Sequence, residues 1–373
     1  MLRPALAGAA ATLSGIGLAR FAYVPLFPAM VAAGWVTGAE AGFLGAVNLA
    51  GYLGGVLGGR SLARRLGTPS ALDVGMAITA LSFAACAWDG GPLWLALWRC
   101  AAGAAGGVLM ALVGPAVQGA IGPAHRGVAG GIVMTGVGVG IILASLAVPL
   151  LLRAGLPAAW LGFGAIVTAL WVEARPAWPK TPVPAVSGSP PPGAGPLCLA
   201  YGVSGAGFIP HMVYFSDLVV RGRGLPTEHG AAGWLLFGLG GLLGPLIAGR
   251  VADRVGALPA IRAWIGLQIG ALALALSAPP VALAGSAFLG GFSAVGMTAI
   301  TLARARELAG ADVGIVWVRA TVAFAIAQAG TGFLFAALFA WTGSHDALFA
   351  LGSALAVAAL VPILPARPGR GGA

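Results

Sequence analysis

Apolar residues occur in this 373-residue chain in about a dozen blocks of roughly twenty, separated by short turns that carry arginine, glycine or proline. A helix that crosses the hydrocarbon layer of a bilayer needs about 20 mostly apolar residues. Backbone polar groups in lipid must be satisfied within their own segment, so such blocks form helices. Charged residues make up only 8% of the chain. These features predict an all-α polytopic membrane protein.

The blocks predict twelve transmembrane helices joined by short connections. The first block resembles a signal peptide, but eleven further blocks follow it, so it is interpreted as the first span. The predicted spans are residues 5–30, 40–59, 71–88, 92–120, 128–152, 157–174, 196–220, 230–249, 257–278, 281–303, 312–340 and 345–364.

The net charge of +10 could suggest a nucleic-acid-binding protein, but the placement of the charges indicates membrane topology instead. Most arginines lie in alternate connections and near the termini. The opposite connections carry only Arg153, Arg221 and Arg223. An excess of arginine and lysine marks cytoplasmic connections. We therefore expect both termini in the cytoplasm, the lipid bilayer as the surroundings and no nucleic-acid partner.

The chain divides into two halves that repeat. Residues 174–195 are rich in proline, which does not continue a helix, and they predict a cytoplasmic linker between an N-terminal bundle at 1–173 and a C-terminal bundle at 196–373. The second and eighth spans both open at threonine, Thr37 and Thr227, and both end in a glycine–arginine turn. Parallel repeats of this kind are typical of transporters, with a substrate site near the midplane between the halves.

Several motifs resemble the major facilitator superfamily over essentially the whole chain. The turn Gly249–Gly256 is similar to the family's signature loop, and Arg99–Gly103 to its Arg-xxx-Gly motif. Residues 15–30 and 200–220 resemble the poorly characterised bacterial YbfB/YjiJ-like group. The resemblance implies two pseudo-symmetric six-helix bundles, alternating access by rocking of the bundles, a bacterial inner membrane and a monomer.

The resemblance also implies a cytoplasmic gate. In the family, the acid of the signature loop holds this gate against a helix N-terminus and a nearby arginine. In the first half Arg64 stands where the family has aspartate, so only the second half, through Asp253 beside Arg254, keeps the acid. Its expected neighbour is Arg126, at the start of the fifth span.

Apart from Arg262, which is close to the cytoplasmic end of its span, three arginines fall inside predicted spans: Arg20, Arg99 and Arg319. An arginine at mid-bilayer costs about 2.5–3.5 kcal/mol on insertion scales, so each needs a partner, a water-filled cavity or a substrate. The helical spacing of Arg20 and Tyr23 predicts a shared cavity face, although pairing of Arg20 with Asp217 is an alternative. The resemblance implies an internal or proton-coupling network for Arg99. Arg319 either extends to the membrane–water interface or has a function in the cavity.

A polar stripe recurs every three or four residues along the seventh span and predicts a face exposed to water or polar groups. It comprises Tyr201, Ser204, Phe208, His211, Tyr214 and Asp217. Histidine titrates at about pH 6.5 in water and suits a proton carrier, so His211 and Asp217 are candidates for coupling. A hydrogen-bonded helix contact is the alternative for His211. Asn48, Tyr52 and Gln328 are further cavity candidates.

These residues predict a secondary transporter of a small organic solute, with protons as the expected coupling ion. Three buried arginines against one acid favour an organic anion. Alternatives are a proton-driven efflux antiporter for lipophilic compounds and a non-transporting membrane sensor. No nucleotide-binding loop, metal spacing or HExxH or GxSxG motif occurs, so we expect no enzyme activity, metal or cofactor.

Overall fold

A computed structural model of the chain describes residues 2–122, 125–180 and 188–364, without the side chains of Arg126, Gly127 and Ala311. These ranges are helical with short connections and contain no β-strand. The twelve long helices are α1 Leu2–Ala32, α2 Gly38–Leu66, α3 Thr68–Ala85, α4 Gly91–Gly119, α5 Arg126–Leu151, α6 Leu156–Ala174, α7 Ala194–Gly222, α8 Thr227–Val255, α9 Ala257–Ala275, α10 Pro280–Ala309, α11 Val313–Thr342 and α12 His345–Ala358.

This arrangement confirms the predicted all-α membrane fold. Eleven of the helical segments are long and apolar enough to cross a bilayer, and α3 falls short because Ser70 and Asp73 make its first turns polar. Part of the predicted linker, residues 181–187, lies outside the described ranges, and the bundle boundaries stay predictions. Below, α1–α6 are the N-terminal bundle and α7–α12 the C-terminal bundle. The terminal side is the side where α1 begins and α12 ends.

The basic turns after the second and eighth spans are helical, which corrects their predicted ends at residues 59 and 249. Helix α2 continues to Leu66 and α8 to Val255. Arginines in the last turns favour this extension, because cations are stabilised near helix C-termini. Both helices end at a glycine with positive φ, +82° at Gly67 and +87° at Gly256, a conformation that glycine adopts readily.

Helices α1 and α7, which occupy the same place in the two bundles, are irregular. The α-helical Leu2–Thr12 changes to a π-helical segment at Leu13–Leu18, and the α-helix resumes only at Tyr23. Helix α7 contains π-helical segments at Pro210–Tyr214 and Leu218–Gly222. A π-turn holds more residues than an α-turn, so side chains beyond it turn to a different face.

The same glycine contact holds two helices together in each bundle. Helix α2 packs on α4, and α8 packs on α10, with glycines of one helix against carbonyl groups of the other. Small residues permit such close approach of membrane helices. The contacts are Gly51 on Cys100, Gly55 on Ala104, Gly240 on Phe288 and Gly244 on Phe292.

The two bundles meet through α1 with α7, α2 with α11 and α5 with α8. Towards the side opposite the termini, Trp234 Nε1 donates to the carbonyl oxygen of Phe21 at 3.0 Å, and the rings of Phe27 and Tyr214 lie 5.8 Å apart. Among the described residues, α4 of the N-terminal bundle does not pack closely on α10 of the C-terminal bundle. The bundles are therefore closed together on the side opposite the termini.

Candidate substrate site between the two bundles

Arg20 lies in the irregular turn of α1 and reaches across to the C-terminal bundle. Its Nη2 donates to Oε1 of Gln328 in α11 at 2.6 Å and lies 3.5 Å from the sulfur of Met212 in α7. The ring centroids of Phe21 and Tyr52 both lie 5.4 Å from its Cζ. Arg20 is 9% exposed, and its buried Nε has no hydrogen-bond partner among the described residues. The guanidinium therefore lies at the junction of both bundles.

The amide of Gln328 is oriented by the backbone of α7. Its Nε2 donates to the carbonyl oxygen of Gly205 at 3.1 Å and lies 3.3 Å from the sulfur of Met212. The amide oxygen is thereby turned towards Arg20. Since an amide and a thioether are neutral, these partners orient the guanidinium without compensating its charge.

Two tyrosines complete the surroundings of Arg20. Tyr52 and Tyr201 both lie close enough to interact with it electrostatically. The Tyr201 ring stacks on Phe324 at 4.6 Å, and its hydroxyl is 3.1 Å from the hydroxyl of Thr298 in α10. The central cluster defined by Arg20, Tyr52, Tyr201, Met212 and Gln328 thus joins α1, α2, α7 and α11.

No described Asp or Glu carboxylate forms an ion pair with Arg20. A buried charge without a counter-ion is unfavourable, and a carboxylate or phosphate satisfies a guanidinium with two parallel hydrogen bonds. The central cluster is therefore chemically suited to an anionic group that enters between the bundles.

Arg99 belongs to a separate network inside the N-terminal bundle. Its Nη1 donates to the carbonyl oxygen of Ala19 at 2.6 Å, and its Cζ lies 4.3 Å from the centroid of the Tyr23 ring. The Tyr23 hydroxyl donates to Ala41, and the Asn48 amide donates to the carbonyl oxygen of Arg99. Tyr23 and Asn48, both predicted in the cavity, thus hold α1, α2 and α4 together instead.

Two polar residues of the predicted α7 stripe face their own bundle. Ser204 and Gln268 exchange two hydrogen bonds, of 2.7 and 2.9 Å, which join α7 to α9. The Nε2 atom of His211 lies 2.9 Å from the hydroxyl of Ser286, which donates to the carbonyl oxygen of Ala271. Ser204 and His211 bond to residues of α9 and α10, so neither belongs to the central cluster.

The hydrogen bonds of His211 indicate its tautomer. Because the Ser286 hydroxyl donates to a carbonyl group, it accepts from His211, and Nε2 carries the hydrogen. The other ring nitrogen is buried beside the rings of Phe215 and Phe349 and has no partner in the described part of the chain. A second proton would have no acceptor there. The contacts favour the alternative of a hydrogen-bonded helix contact over a proton carrier.

Tyr214 and Asp217 lie at the closed side opposite the termini. The Tyr214 hydroxyl is buried without a partner against Gly42 of α2. Asp217 bonds to Arg221 at 2.6 Å and to His345 at 2.7 Å. The alternative in which Asp217 pairs with Arg20 is therefore not what the structure shows.

The predicted residues of the terminal side are exposed. Arg319 donates to the carbonyl oxygen of Gly188 at 3.3 Å, before the start of α7, and is remote from Arg20. Arg64 donates to the hydroxyl of Ser61 one turn earlier in its own helix. Arg319 is thus exposed and bonded outside the central cluster, and its position at the membrane interface stays a prediction.

The predicted cytoplasmic gate is only partly visible. Asp253 and Arg254 are exposed, Asp253 forms no ion pair with a described residue, and the side chain of Arg126 lies outside the described part of the chain. Asp253 lines a surface cavity of about 470 Å³ together with Glu307. Glu307 accepts from the backbone N–H of Ala257 at the start of α9, which is not the helix N-terminus expected for Asp253, the start of α5.

Sequence reasoning missed part of the site. Met212, Thr298 and Phe324 carry no charge and gave no signal. For His345 and Arg221 the sequence did contain a signal. They lie at the outer ends of spans twelve and seven, on the same side of the membrane as Asp217. No group of three His, Cys, Asp or Glu side chains that could hold a metal ion occurs among the described residues.

Comparison with known proteins identifies the family. The model of the family described as "uncharacterised MFS-type transporter YbfB" matches residues 12–363. Among solved structures, a mutant of the nucleoside transporter NupG superimposes with a TM-score of 0.76 and 12% sequence identity, over 96% of this chain and 98% of that one. No curated protein matches the sequence. The predicted absence of enzyme activity is confirmed, because the chain belongs to the family of the MFS-type transporter YbfB.

Proposed function

We propose that this secondary transporter moves a small organic anion between its two bundles by alternating access, with Arg20 as the group that binds the anion. The observation that carries the proposal is the buried guanidinium of Arg20, which has neutral partners on both bundles and no described carboxylate. An anion bound there would contact α1, α7 and α11 together. Binding would therefore depend on the relative position of the bundles, as alternating access requires.

Export of a lipophilic cation is less well supported. Such a cavity needs a carboxylate, and the buried Asp217 is held by Arg221 and His345 at the closed side. The nucleoside named for NupG does not transfer to this chain, because 12% identity supports only the fold. A neutral nucleoside is nevertheless a useful control solute. A non-transporting sensor would show no uptake of any solute in the transport assay described below.

Location, coupling and assembly belong to the same proposal. The arginine distribution supports both termini in the cytoplasm and a bacterial inner membrane. Protons are the proposed coupling ion, since the buried Asp217 is bonded to a histidine. The central cluster is built from one chain, which supports a monomer as the transporting unit.

The test is transport by purified protein in liposomes. Carboxylates that raise the melting temperature of the protein, with uridine as the neutral control, would be tested for uptake. Hydrogen bonds to a charged group contribute about 1.5–3 kcal/mol, so Arg20→Gln should raise KM for the anion roughly 10- to 100-fold. Arg153→Gln, with an exposed side chain, is the matched control. An unchanged KM in a folded Arg20→Gln protein would contradict the proposal.

A further inference from the structure

Asp217 is a fully buried carboxylate with two partners at the closed side of the transporter. Arg221, one turn later in α7, donates to both of its oxygens, Nε to Oδ1 at 2.6 Å and Nη2 to Oδ2 at 2.9 Å. Nε2 of His345, the first residue of α12, is bonded to Oδ2 at 2.7 Å. Asp217 has no exposed surface, whereas the Arg221 side chain is 32% exposed. The carboxylate is therefore fixed, and the guanidinium has a route to water.

His345 is arranged to accept a proton while it keeps its bond to Asp217. A carboxylate only accepts hydrogen bonds, so Nε2 of His345 carries the hydrogen. The other ring nitrogen, Nδ1, makes no bond to a described residue, and the His345 side chain is 9% exposed. The buried Nδ1 of His211 differs in this respect. Water can therefore deliver a proton to His345 but not to His211.

Arg221 also closes the interface between the bundles. Its Nη2 lies so close to Gly38, in the first turn of α2, that an added Cβ would clash with it. Phe339 of α11 borders the same position. About two turns earlier in α7, the Tyr214 hydroxyl fills the space above Gly42 in the same way. Arg221 thus links the buried carboxylate of one bundle to the backbone of the other.

The remaining polar groups around Asp217 are neutral or already paired. Tyr214 and Tyr23 lie within electrostatic range of it. Arg223 pairs with Asp346 at 2.5 Å, and Glu40 accepts from the backbone of Thr37. Glu228 and His229, in the first turn of α8, are exposed. The charge balance of the buried site is therefore set by Asp217, Arg221 and His345.

We propose that Asp217, His345 and Arg221 form a proton-operated latch on the side opposite the termini. With His345 neutral, the Asp217 and Arg221 charges balance, and Arg221 stays against Gly38. When Nδ1 of His345 takes up a proton, His345 and Arg221 are both cations and share the single carboxylate of Asp217. The new imidazolium then compensates Asp217, and Arg221 turns into water and leaves α2. The contact between the bundles is lost, and the side opposite the termini opens.

The latch rests on the proposed alternating access but not on the identity of the solute. It is tested by the distance between spin labels at Ala33, after α1, and Trp341, near the end of α11, both exposed on the latch side. Cys86, Cys100 and Cys198 are first replaced by alanine. When the pH is lowered from about 8 to about 5, the distribution should move to longer distances. A tenfold change in the ratio of open to closed molecules corresponds to a difference of one pKa unit between the open and the closed state.

Variants separate the latch from a general loosening of the fold. His345→Gln keeps a donor for Asp217 but cannot take up a proton, so the distance should stay short at both pH values. Gly38→Ala displaces Arg221 without changing any charge and should give long distances at both. Gly54→Ala is the matched control in the same helix, since a Cβ there meets nothing within 4 Å, and it should behave as the unaltered chain.

Two outcomes would overturn the proposal: a distance that does not depend on pH in the unaltered chain, or an unaltered pH dependence in His345→Gln. Because no solute is present, the result is independent of anion transport. A failed uptake assay would therefore leave the latch standing, and a failed latch would leave the anion site standing.

Discussion

His211 illustrates how a histidine can lie within a membrane protein without carrying its proton. It donates to Ser286, and its other nitrogen has no partner among the surrounding phenylalanine rings. We expect His211→Leu to lose one neutral hydrogen bond, of about 1 kcal/mol, and to remove the unpartnered nitrogen. Melting temperature and the pH dependence of uptake should therefore change little.

The comparison is with His345→Gln, measured in the same liposomes. If His211→Leu abolished proton-dependent uptake and His345→Gln did not, the coupling proton would be assigned to His211. A large loss of stability in His211→Leu would instead show that the Ser286 hydrogen bond holds α7 to α10 more strongly than a single neutral bond.

At the scale of single residues, the sequence predicted which side chains are polar but not which neighbour each one meets. Tyr23 follows Arg20 by three residues, and an α-helical spacing would place both on one face. The irregular turn of α1 at residues 19–22 breaks that spacing, so Arg20 faces α11 and Tyr23 faces α2. Nothing in the local composition reveals such a segment, and side chains after it were predicted on the wrong face.

At the scale of helices, the glycine contacts determine how closely α2 approaches α4 and α8 approaches α10. An added Cβ at Gly55 or Gly244 would lie against a backbone carbonyl oxygen, which cannot turn aside. Overpacking of this kind costs about 1–3 kcal/mol. Gly55→Ala and Gly244→Ala should therefore each lower the melting temperature of the protein in detergent.

Gly54→Ala and Gly249→Ala are the controls, because a Cβ at either position meets nothing within 4 Å. They should match or slightly exceed the stability of the unaltered chain, since alanine favours a helix more than glycine does. Equal melting temperatures for Gly54→Ala and Gly55→Ala would contradict the packing of α2 on α4 by these glycines.

Helices themselves were predictable where their cause is local. Apolar blocks of membrane length gave the twelve helices, and the threonine that opens the second span is an N-cap, with Glu40 bonded back to Thr37. The terminal-side ends of α2 and α8 were predicted too short, because apolarity stops at the membrane while the backbone hydrogen bonds continue. The helix then ends where glycine takes positive φ, at Gly67 and Gly256.

At the scale of the whole molecule, the repeat and its twofold arrangement followed from the sequence, but the conformation did not. Contacts such as Trp234 on Phe21 and Arg221 on Gly38 close one side. These contacts depend on the relative orientation of the two complete bundles. The packing within each bundle does not require them, so it does not determine which side is closed. Which side faces the cytoplasm then decides whether the closed side faces outward.

The orientation is a prediction of the whole chain. The terminal side carries Arg60, Arg64 and Arg65 in the last turns of α2 and Arg250 and Arg254 in the last turns of α8, and it holds more arginines than the opposite connections. Since arginine-rich connections stay in the cytoplasm, green fluorescent protein fused to the C-terminus should fluoresce. Alkaline phosphatase needs the oxidising periplasm for its disulfides, so it should be inactive there but active when fused after Leu225, between α7 and α8. The reverse pattern would place the latch in the cytoplasm, and periplasmic protons could then not reach His345 directly.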